Sequence, residues 1–257
     1  MALPGFPLVA SGDDLAAYTA AALTRAALEL QAGDVLVFAQ KVVSKAEGRW
    51  VDLRTVTPSA RALELALTVE KDARLVELVL RESQRIVRAA KDVLIVEHRL
   101  GLIMANAGID QSNVTGPAGQ PNVVGPAGGD VALLLPEDPD ASAARLREQL
   151  FMLTGCAPGI VISDSFGRPW RVGTVGVAIG CAGFPATLDL RGQRDLAGRV
   201  LRVTVVGHAD EVASAASILM GQGSEALPVV LVRGLTARAP QQSASALLRP
   251  PHEDLFR

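Results

Sequence analysis

The 257-residue sequence has little of several features that would assign it to a class of protein. It contains two cysteines, Cys156 and Cys181, which form no CxxC pair and have no histidine at zinc-ligand spacing, so we expect buried thiols rather than a metal centre. Aromatic residues make up only 4% of the chain, and the net charge of -2 arises from interleaved acidic and basic residues. No nucleic-acid partner is therefore expected.

Long apolar runs and the common catalytic signatures are also missing. The longest runs, such as Val131 to Leu135, are far shorter than the ~20 residues of a membrane-spanning helix. The N-terminus has neither a basic leader nor a continuous apolar core, so we expect no secretory signal, no membrane association and a cytoplasmic location. No histidine lies beside a serine or cysteine nucleophile, and no GxxxxGK[ST] motif occurs, so any triphosphate must be held without a P-loop.

A hydrophobic content of 49% is enough for a substantial core, in one large domain or two close subdomains. Helical and strand patterns are mixed but do not alternate regularly, which favours an α+β fold with mixed sheets over a doubly wound parallel fold. We predict one unit over residues 1–237, a Gly/Pro-rich loop at about 115–129, and a polar, Pro-containing tail over residues 238–257.

Local signals predict most of the elements. A helix capped by Asp13 or Asp14 is expected to run to Leu30, and residues 42–49 are expected to be a loop beside a sheet. The other predicted helices begin at Thr57-Pro58, at Asp72, at Asp138 and at Asp210, and the predicted strands are 35–39, 93–96, 102–105, 131–135, 159–163, 201–206 and 229–232.

Two acidic motifs follow predicted strands. Asp110 precedes Ser112-Asn113, and Asp164 precedes Ser165. Because both carboxylates can project from a sheet edge into a common cleft, with hydroxyl and amide oxygens nearby, the motifs fit a site for Mg²⁺ or Mn²⁺. Aspartate followed by Ser, Asn or Gly is also the usual composition of an Asx turn. The residues alone leave both interpretations open.

Three basic residues, Lys45, Arg168 and Arg171, are candidate contacts for phosphoryl oxygens. With 25 Lys and Arg in the chain, each could equally be a solvated surface side chain. The segment Met220 to Glu225 ends a predicted helix in small, oxygen-bearing residues, so it could approach phosphates or simply provide a glycine C-cap.

Several motifs taken together resemble the coenzyme F-420-0:L-glutamate ligase family, the γ-glutamyl ligases. The resemblance spans roughly residues 6 to 235, and its motifs occur in the family's order and approximate spacing. They are Ser44-Lys45-Ala46-Glu47-Gly48-Arg49, Asn106-Ala107-Gly108-Ile109-Asp110 with Ser112-Asn113, Leu134-Leu135-Pro136 with Asp138-Pro139-Asp140, Asp164-Ser165-Phe166-Gly167-Arg168, Gly176-Val177-Ala178-Ile179-Gly180, Asp189-Leu190-Arg191-Gly192, Ala209-Asp210-Glu211 and Met220-Gly221-Gln222.

The resemblance implies two interwoven α/β subdomains with mixed, largely antiparallel sheets, and a homodimer. It also implies a GTP-dependent reaction that requires Mg²⁺ or Mn²⁺ and is assisted by K⁺. The acceptor would be the phospholactyl carboxylate of the deazaflavin coenzyme F-420-0. GTP would convert this carboxylate to an acyl phosphate, the amine of L-glutamate would displace phosphate, and later glutamates would extend a γ-linked tail.

The resemblance also implies roles for individual residues. Asp110, Asp164, Ser165 and Gln222 would hold the metal, and Arg168 and Arg171 would neutralise the acyl phosphate beside the two catalytic aspartates. The nucleotide would be bound by Phe6, Pro7, Leu8, Val9, Ser44, Lys45, Asn113, Ile218, Leu219, Met220, Gly221, Gln222, Gly223, Ser224 and Glu225.

Two alternatives to this function stay open at the level of sequence. One is a non-catalytic nucleotide- or deazaflavin-binding module whose acidic corners are only turns. The other is a related amide ligase with a different carboxylate acceptor. The 115–129 loop is longer than in archaeal relatives, and some relatives continue into a flavin-binding reductase domain, so this chain could be a stand-alone ligase or one domain of a longer protein.

Overall fold

The computed structural model describes residues 1–112, 130–235 and 239–254. Its central element is a four-stranded sheet with the order β11-β1-β7-β8. Strands β1 and β7 are parallel, whereas the other two neighbouring pairs are antiparallel. Strand β1 is apolar along its whole length, as expected for a strand covered on both faces. The four strands are β1 (Val35–Ala39), β7 (Gly159–Arg168), β8 (Arg171–Ala182) and β11 (Val229–Val232).

Helices cover both faces of this sheet. Leu15 and Leu23 of α1 and Leu146 of α5 pack with Leu36 and Ile160 in one apolar cluster. On the opposite face, α6 packs against a second cluster on the same strands. The helices of this body are α1 (Leu15–Arg25), α2 (Gln40–Ala46), α5 (Pro139–Thr154) and α6 (His208–Met220).

A second body is inserted between α2 and α5 and has its own apolar core, which includes Leu65, Val76 and Val96. The chain enters it through β2 and leaves through β6, and these two strands pair antiparallel. Its elements are β2 (Trp50–Asp52), α3 (Ala60–Val69), α4 (Ala73–Arg81), the antiparallel sheet of β3 (Ser83–Ala90), β4 (Val93–His98) and β5 (Ile103–Ala105), and β6 (Val131–Leu133).

Smaller elements complete the described chain. Strands β9 (Leu188–Asp189) and β10 (Val205–Val206) form a two-stranded ribbon. Short 3-10 turns cover Leu53–Thr55, Asn106–Gly108, Ala244–Leu247 and Pro251–Glu253. Within the described residues, no helix is long and apolar enough to cross a membrane.

The α+β class with mixed, mostly antiparallel sheets is confirmed. Local capping signals were informative: the side chains of Asp14, Asp72 and Asp138 cap α1, α4 and α5, and Gly155 ends α5 with a φ of 72°. The predicted loop at 115–129 lies outside the described residues.

Other boundaries were wrong. Residues 40–46 form a helix rather than a loop, because burial of Val43 and a bond from Gln40 Nε2 to Ser44 Oγ of 2.6 Å stabilise a turn that β-branched residues disfavour. Helix α1 ends at Arg25 instead of Leu30, and α3 is capped by Ser59 instead of Thr57. The long predicted strand at 201–206 is reduced to Val205–Val206.

The second acidic motif lies inside a strand rather than after one. Strand β7 continues to Arg168 because it pairs with β8 along a long hairpin, in which Asp164 lies opposite Val177 and Ser165 opposite Gly176. The stretch from Gly173 to Gly183, which has no strand pattern of its own, supplies most of the partner strand. Pairing across the hairpin thus extends a strand whose local sequence predicts an end at Ser163.

Candidate active site

Two polar corners meet at one edge of the central sheet. Strands β1 and β7 run parallel and in register, with Ala39 beside Ser163. Gln40 and Lys41 follow Ala39 in the first turn of α2, and Asp164 follows Ser163 in β7, so these residues emerge at the same edge of the sheet. This edge carries the candidate site.

Asp110 reaches the same edge from the second body. It follows a tight turn in which Asn106, Ala107 and Gly108 all have positive φ. Its backbone then forms two hydrogen bonds with Leu133, one in each direction, of 3.0 and 2.9 Å. These bonds fix the point at which the Asp110 side chain leaves the second body and faces the first.

A cleft of about 620 Å³ opens at this edge. The segment at the N-terminus, the start of α2, the two acidic motifs and the loop after α6 all contribute to its walls. Its lining residues are Phe6, Pro7, Leu8, Val9, Ala39, Gln40, Lys41, Val42, Lys45, Asp110, Ser112, Ser163, Asp164, Ser165, Ser217 and residues 220–228.

The carboxylate of Asp110 is held by three donors from two residues. Ser112 donates its backbone N–H and its hydroxyl to Oδ1, at 3.0 and 2.8 Å. Lys41 Nζ lies 2.7 Å from Oδ2. The bond from the Ser112 N–H is that of an Asx turn, so at this position the turn and a place in the cleft occur together.

Burial raises the pKa of Asp164 to about 6, and the nearby negative charge of Asp110 adds to this effect. The Ser165 backbone N–H and the charge of Lys41 oppose it. Asp110 and Asp164 both line the cleft, so their carboxylates can contribute to one site. A cation placed between them would favour the ionised form of both.

The loop after α6 approaches Asp164 from the other side. Ser165 Oγ donates a hydrogen bond of 2.9 Å to Gln222 Oε1, although the two residues are 57 positions apart. Gly221 has a φ of 71°, a backbone conformation that favours glycine. The carboxylate of Glu225 folds back over this loop and accepts the Gly223 N–H at 2.8 Å. The backbone N–H groups of Glu225 itself, Gly223 and Gln222 hold the pKa of Glu225 below its usual range.

Lys45 lies one helical turn after Lys41 on α2, and both line the cleft. Burial lowers the pKa of Lys45, and the positive charge of Lys41 lowers it further, while Asp110 opposes both effects. Its ammonium lies 5.9 Å from the centroid of the Trp50 ring. The cleft therefore combines two lysines with three carboxyl groups, those of Asp110, Asp164 and Glu225.

The remaining predicted site residues are distributed unevenly. Ser44 is fully buried beside Gln40 and does not line the cleft, and Ile218 and Leu219 are exposed outside it. Arg168 and Arg171 form the last pair of the β7–β8 hairpin, also outside the cleft lining. Asn113 lies outside the described residues.

Sequence reasoning missed Lys41, Gln40, Ser163 and Ser217, which all line the cleft. The rule that identified the aspartates, a polar residue after an apolar strand, also applies to Gln40-Lys41 after β1. Ser217 follows from the α-helical period, since it lies three residues before Met220 on α6.

The donors present fit a hard divalent cation. Asp110, Asp164, Ser165 and Gln222 offer only oxygen ligands on this side of the cleft, as Mg²⁺ and Mn²⁺ prefer. An ammonium already lies against Asp110, and the buried Gln40 Oε1 has no hydrogen-bond partner among the described residues. No group of three or more His, Cys, Asp or Glu side chains that could hold a metal occurs in the described part of the chain, so oxygens of a bound ligand would have to complete the coordination.

Carboxylates, lysines and a glycine-containing loop around one cleft define the class of site that takes an anionic ligand together with a cation. Comparison with known proteins specifies the family. The family model described as F420-0:Gamma-glutamyl ligase matches residues 5–234, and the chain belongs to this family.

Curated relatives match over nearly the full length. A coenzyme F420:L-glutamate ligase of Methanopyrus kandleri is 45% identical, over 97% of this chain and 93% of the relative. Ligases of the same name from Methanothermobacter thermautotrophicus and Halorubrum lacusprofundi are 42% and 44% identical, over 98% and 90% of this chain and 96% and 85% of the relatives. The family suggested by the sequence motifs is thereby confirmed.

Proposed function

We propose that this protein is a GTP-dependent ligase that joins L-glutamate to the phospholactyl carboxylate of F-420-0. The observation that carries the proposal is the meeting of Asp110 and Asp164, from different bodies of the fold, in one cleft with the loop that follows α6. Membership of the ligase family supports the acceptor and the amino acid. The nucleotide, the metal and the intermediate are what the resemblance to the ligase family implies, and the carboxylates, lysines and glycine-containing loop of the cleft are compatible with them.

Asp110, Asp164, Ser165 and Gln222 would hold a Mg²⁺ or Mn²⁺ ion. Such an ion, when bound, supplies positive charge at the oxygens of the transferred phosphoryl group. Lys45 would add a cation on the α2 side of the cleft, and the backbone amides around Gly221 and Gly223 can point at phosphate oxygens. Phe6 to Val9 would line the opposite wall of the nucleotide site.

The proposed chemistry has two steps. An oxygen of the acceptor carboxylate attacks the γ-phosphorus of GTP, so that an acyl phosphate forms and GDP leaves. The amine nitrogen of glutamate then attacks the acyl carbon, loses a proton, and expels inorganic phosphate to give the amide. When the γ-carboxylate of the added glutamate becomes the acceptor, the same two steps extend a γ-linked tail.

We also propose a homodimer, because the tip of the β7–β8 hairpin presents apolar surface to solvent. Trp170 and Val172 at its tip are 83% and 100% exposed. Residues of this kind are expected to pack on a second copy. Arg168 and Arg171 lie at the same tip, so a dimer could bring them to a cleft that they do not line in a single chain. A monomer at micromolar concentration in light scattering would contradict this part of the proposal.

The assistance of K⁺, the role of Asn113 and the cytoplasmic location stay predictions. A related ligase with a different carboxylate acceptor would use the same cleft residues. It would differ in the substrate to which glutamate is added. The binding-module alternative predicts ligand binding that is insensitive to chelators, and the hard-oxygen donor set speaks against it.

The decisive experiment measures the mass of F-420-0 after incubation with L-glutamate, GTP and Mn²⁺. The expected result is a gain of glutamate units, with GDP and phosphate released only when acceptor, glutamate and metal are all present. Asp110→Asn and Asp164→Asn should abolish this turnover, because asparagine keeps the Asx turn at Asp110 and the side-chain size at both positions but removes an anionic ligand. Asp52→Asn, which disrupts an exposed pair with Arg54 on the second body, is the matched control and should retain it. Unchanged turnover in both cleft variants would overturn the proposed metal site.

A further inference from the structure

Lys41 makes several close polar contacts at the acidic edge of the cleft. Its Nζ lies 2.7 Å from Asp110 Oδ2 and also contacts Ser112, at 3.1 Å from Oγ and 3.3 Å from the carbonyl oxygen. Its three donors thus meet three oxygens of one turn. The side chain is 30% exposed, so the ammonium lies at the cleft surface rather than in the core.

The position of this ammonium matters because of its neighbours. Asp110 and Asp164 both line the cleft and carry the same charge, and Lys41 lies against one of them. A single positive charge there offsets part of their repulsion. Oxygen ligands around an ammonium also resemble the ligands that a hard metal ion takes. Lys41 therefore lies where a cation of the proposed reaction would bind.

The backbone of Lys41 cannot move far, but its side chain can. The residue is the second of helix α2, which follows buried strand β1 directly, so its Cα is fixed. Beyond Cβ, the side chain has a flexible chain of methylene groups, and the cleft extends from it toward Lys45 and the loop after α6. An ammonium that leaves Asp110 thus stays within the cleft.

We propose that Lys41 is a counter-ion of the metal site: it pairs with Asp110, yields that carboxylate to the divalent ion, and then pairs with phosphate oxygens of the nucleotide. This inference rests on the proposed function for the identity of the two ligands. It assigns Lys41 opposite effects on them. Lys41 competes with the metal in the absence of nucleotide and supports the nucleotide once the metal is present.

The opposite signs give a sharp test. Mn²⁺ binding to the full chain without nucleotide is measured by electron paramagnetic resonance, and GDP binding in saturating Mn²⁺ by calorimetry. Lys41→Met is expected to bind Mn²⁺ roughly tenfold more tightly, because a repelling charge next to the metal is lost. The same variant is expected to bind GDP roughly tenfold more weakly, because a phosphate contact is lost. Lys41→Arg keeps the charge and should stay within about threefold of the wild type in both assays.

Lys91→Met is the matched control, since Lys91 Nζ also lies 2.7 Å from a carboxylate, that of Glu70, on the surface of the second body. It should change neither affinity. General damage to the fold would weaken the binding of both Mn²⁺ and GDP. Tighter Mn²⁺ binding in Lys41→Met therefore cannot arise from such damage. Mn²⁺ affinity in Lys41→Met that is unchanged or weaker overturns the counter-ion role while leaving the ligase proposal intact if Asp110→Asn still loses Mn²⁺. Retention of Mn²⁺ by Asp110→Asn overturns both.

Discussion

Ser165 Oγ donates to Gln222 Oε1 across 2.9 Å and so links strand β7 to the loop that follows α6. Both side chains are exposed in the cleft, and both are proposed metal ligands. The bond holds the two oxygens close together. A site assembled in this way needs only small side-chain rotations to bind a cation, which limits the entropy lost on binding.

Replacing these two residues should therefore affect ligand binding more than stability. Ser165→Ala and Gln222→Ala are each expected to weaken Mn²⁺ binding roughly 10-fold or more, as for other groups that hold or orient a metal. Because both side chains are exposed, the free energy of unfolding should change by no more than about 0.5 kcal/mol. Mn²⁺ titration and urea denaturation of the two variants check both expectations. A large loss of stability with unchanged metal affinity would assign the pair a structural role instead.

Because the pKa of Asp164 is raised in the folded protein, we expect the free energy of unfolding of the metal-free protein to depend on pH. Its folded-state pKa is raised from 3.8 to about 6, so between these values the folded protein binds more protons than the unfolded chain. The stabilisation that this group contributes is therefore fully present below about pH 4 and is lost as the pH rises through about 6. The loss is at most about 3 kcal/mol, and solvent at the cleft surface will reduce it.

Asp164→Asn should remove this contribution to the slope, because asparagine does not titrate. The measurement is urea unfolding of both proteins at intervals from pH 4 to 7 in the presence of a chelator. Mn²⁺ should reverse the trend in the wild type, since the ion favours the charged carboxylate. Parallel stability profiles for the wild type and the variant would show that the Asp164 carboxyl is not perturbed by folding.

The local sequence predicted those parts of the fold that depend on neighbouring residues. Side-chain caps at Asp72 and Asp138 and the apolar strands β1 and β11 needed no information from elsewhere in the chain. Strand β3 was missed, because charged Arg85 and Arg88 obscure its alternation and its pairing depends on β4, including a contact of 2.6 Å between Arg85 and Glu97. Tertiary pairing decided that element.

The residues of the candidate site likewise divide into those that local sequence could identify and those that it could not. Asp110 and Asp164 could be selected because each follows an apolar run, and family motifs then grouped them with Gln222. The same rule applies to Lys41, but its contact with Asp110 could not be predicted, because that partner is 69 positions away and the chain has 25 basic residues. The position of Arg168 was equally hidden, because it depends on how far β7 and β8 pair beyond the sheet.

Glu225 is expected to compete with a phosphate for the loop after α6. Its carboxylate accepts the Gly223 N–H and places a negative charge at the mouth of the cleft. Glu225→Gln should therefore bind GDP several-fold more tightly in saturating Mn²⁺, as measured by calorimetry. Glu64→Gln, which disrupts an exposed pair with Arg61 on α3, is the matched control and should bind GDP as the wild type does. Weaker GDP binding in Glu225→Gln would mean that this carboxylate itself contacts the nucleotide.

Close packing of β8 against α6 should be essential for the position of the loop that carries Gln222. A Cβ at Gly176 would lie 2.4 Å from the carbonyl oxygen of Ala213 on α6, whereas a Cβ at Gly167 on the same hairpin would meet nothing within 4 Å. Gly176→Ala must therefore push α6 away from the sheet, at a cost on the order of 1–3 kcal/mol typical of overpacking. Since α6 leads into Gln222, Mn²⁺ affinity should fall along with the stability. Gly167→Ala, whose backbone conformation suits alanine, should leave both within error in thermal unfolding and Mn²⁺ titration. Equal effects of the two substitutions would show that the helix and the strand are not in the close contact described.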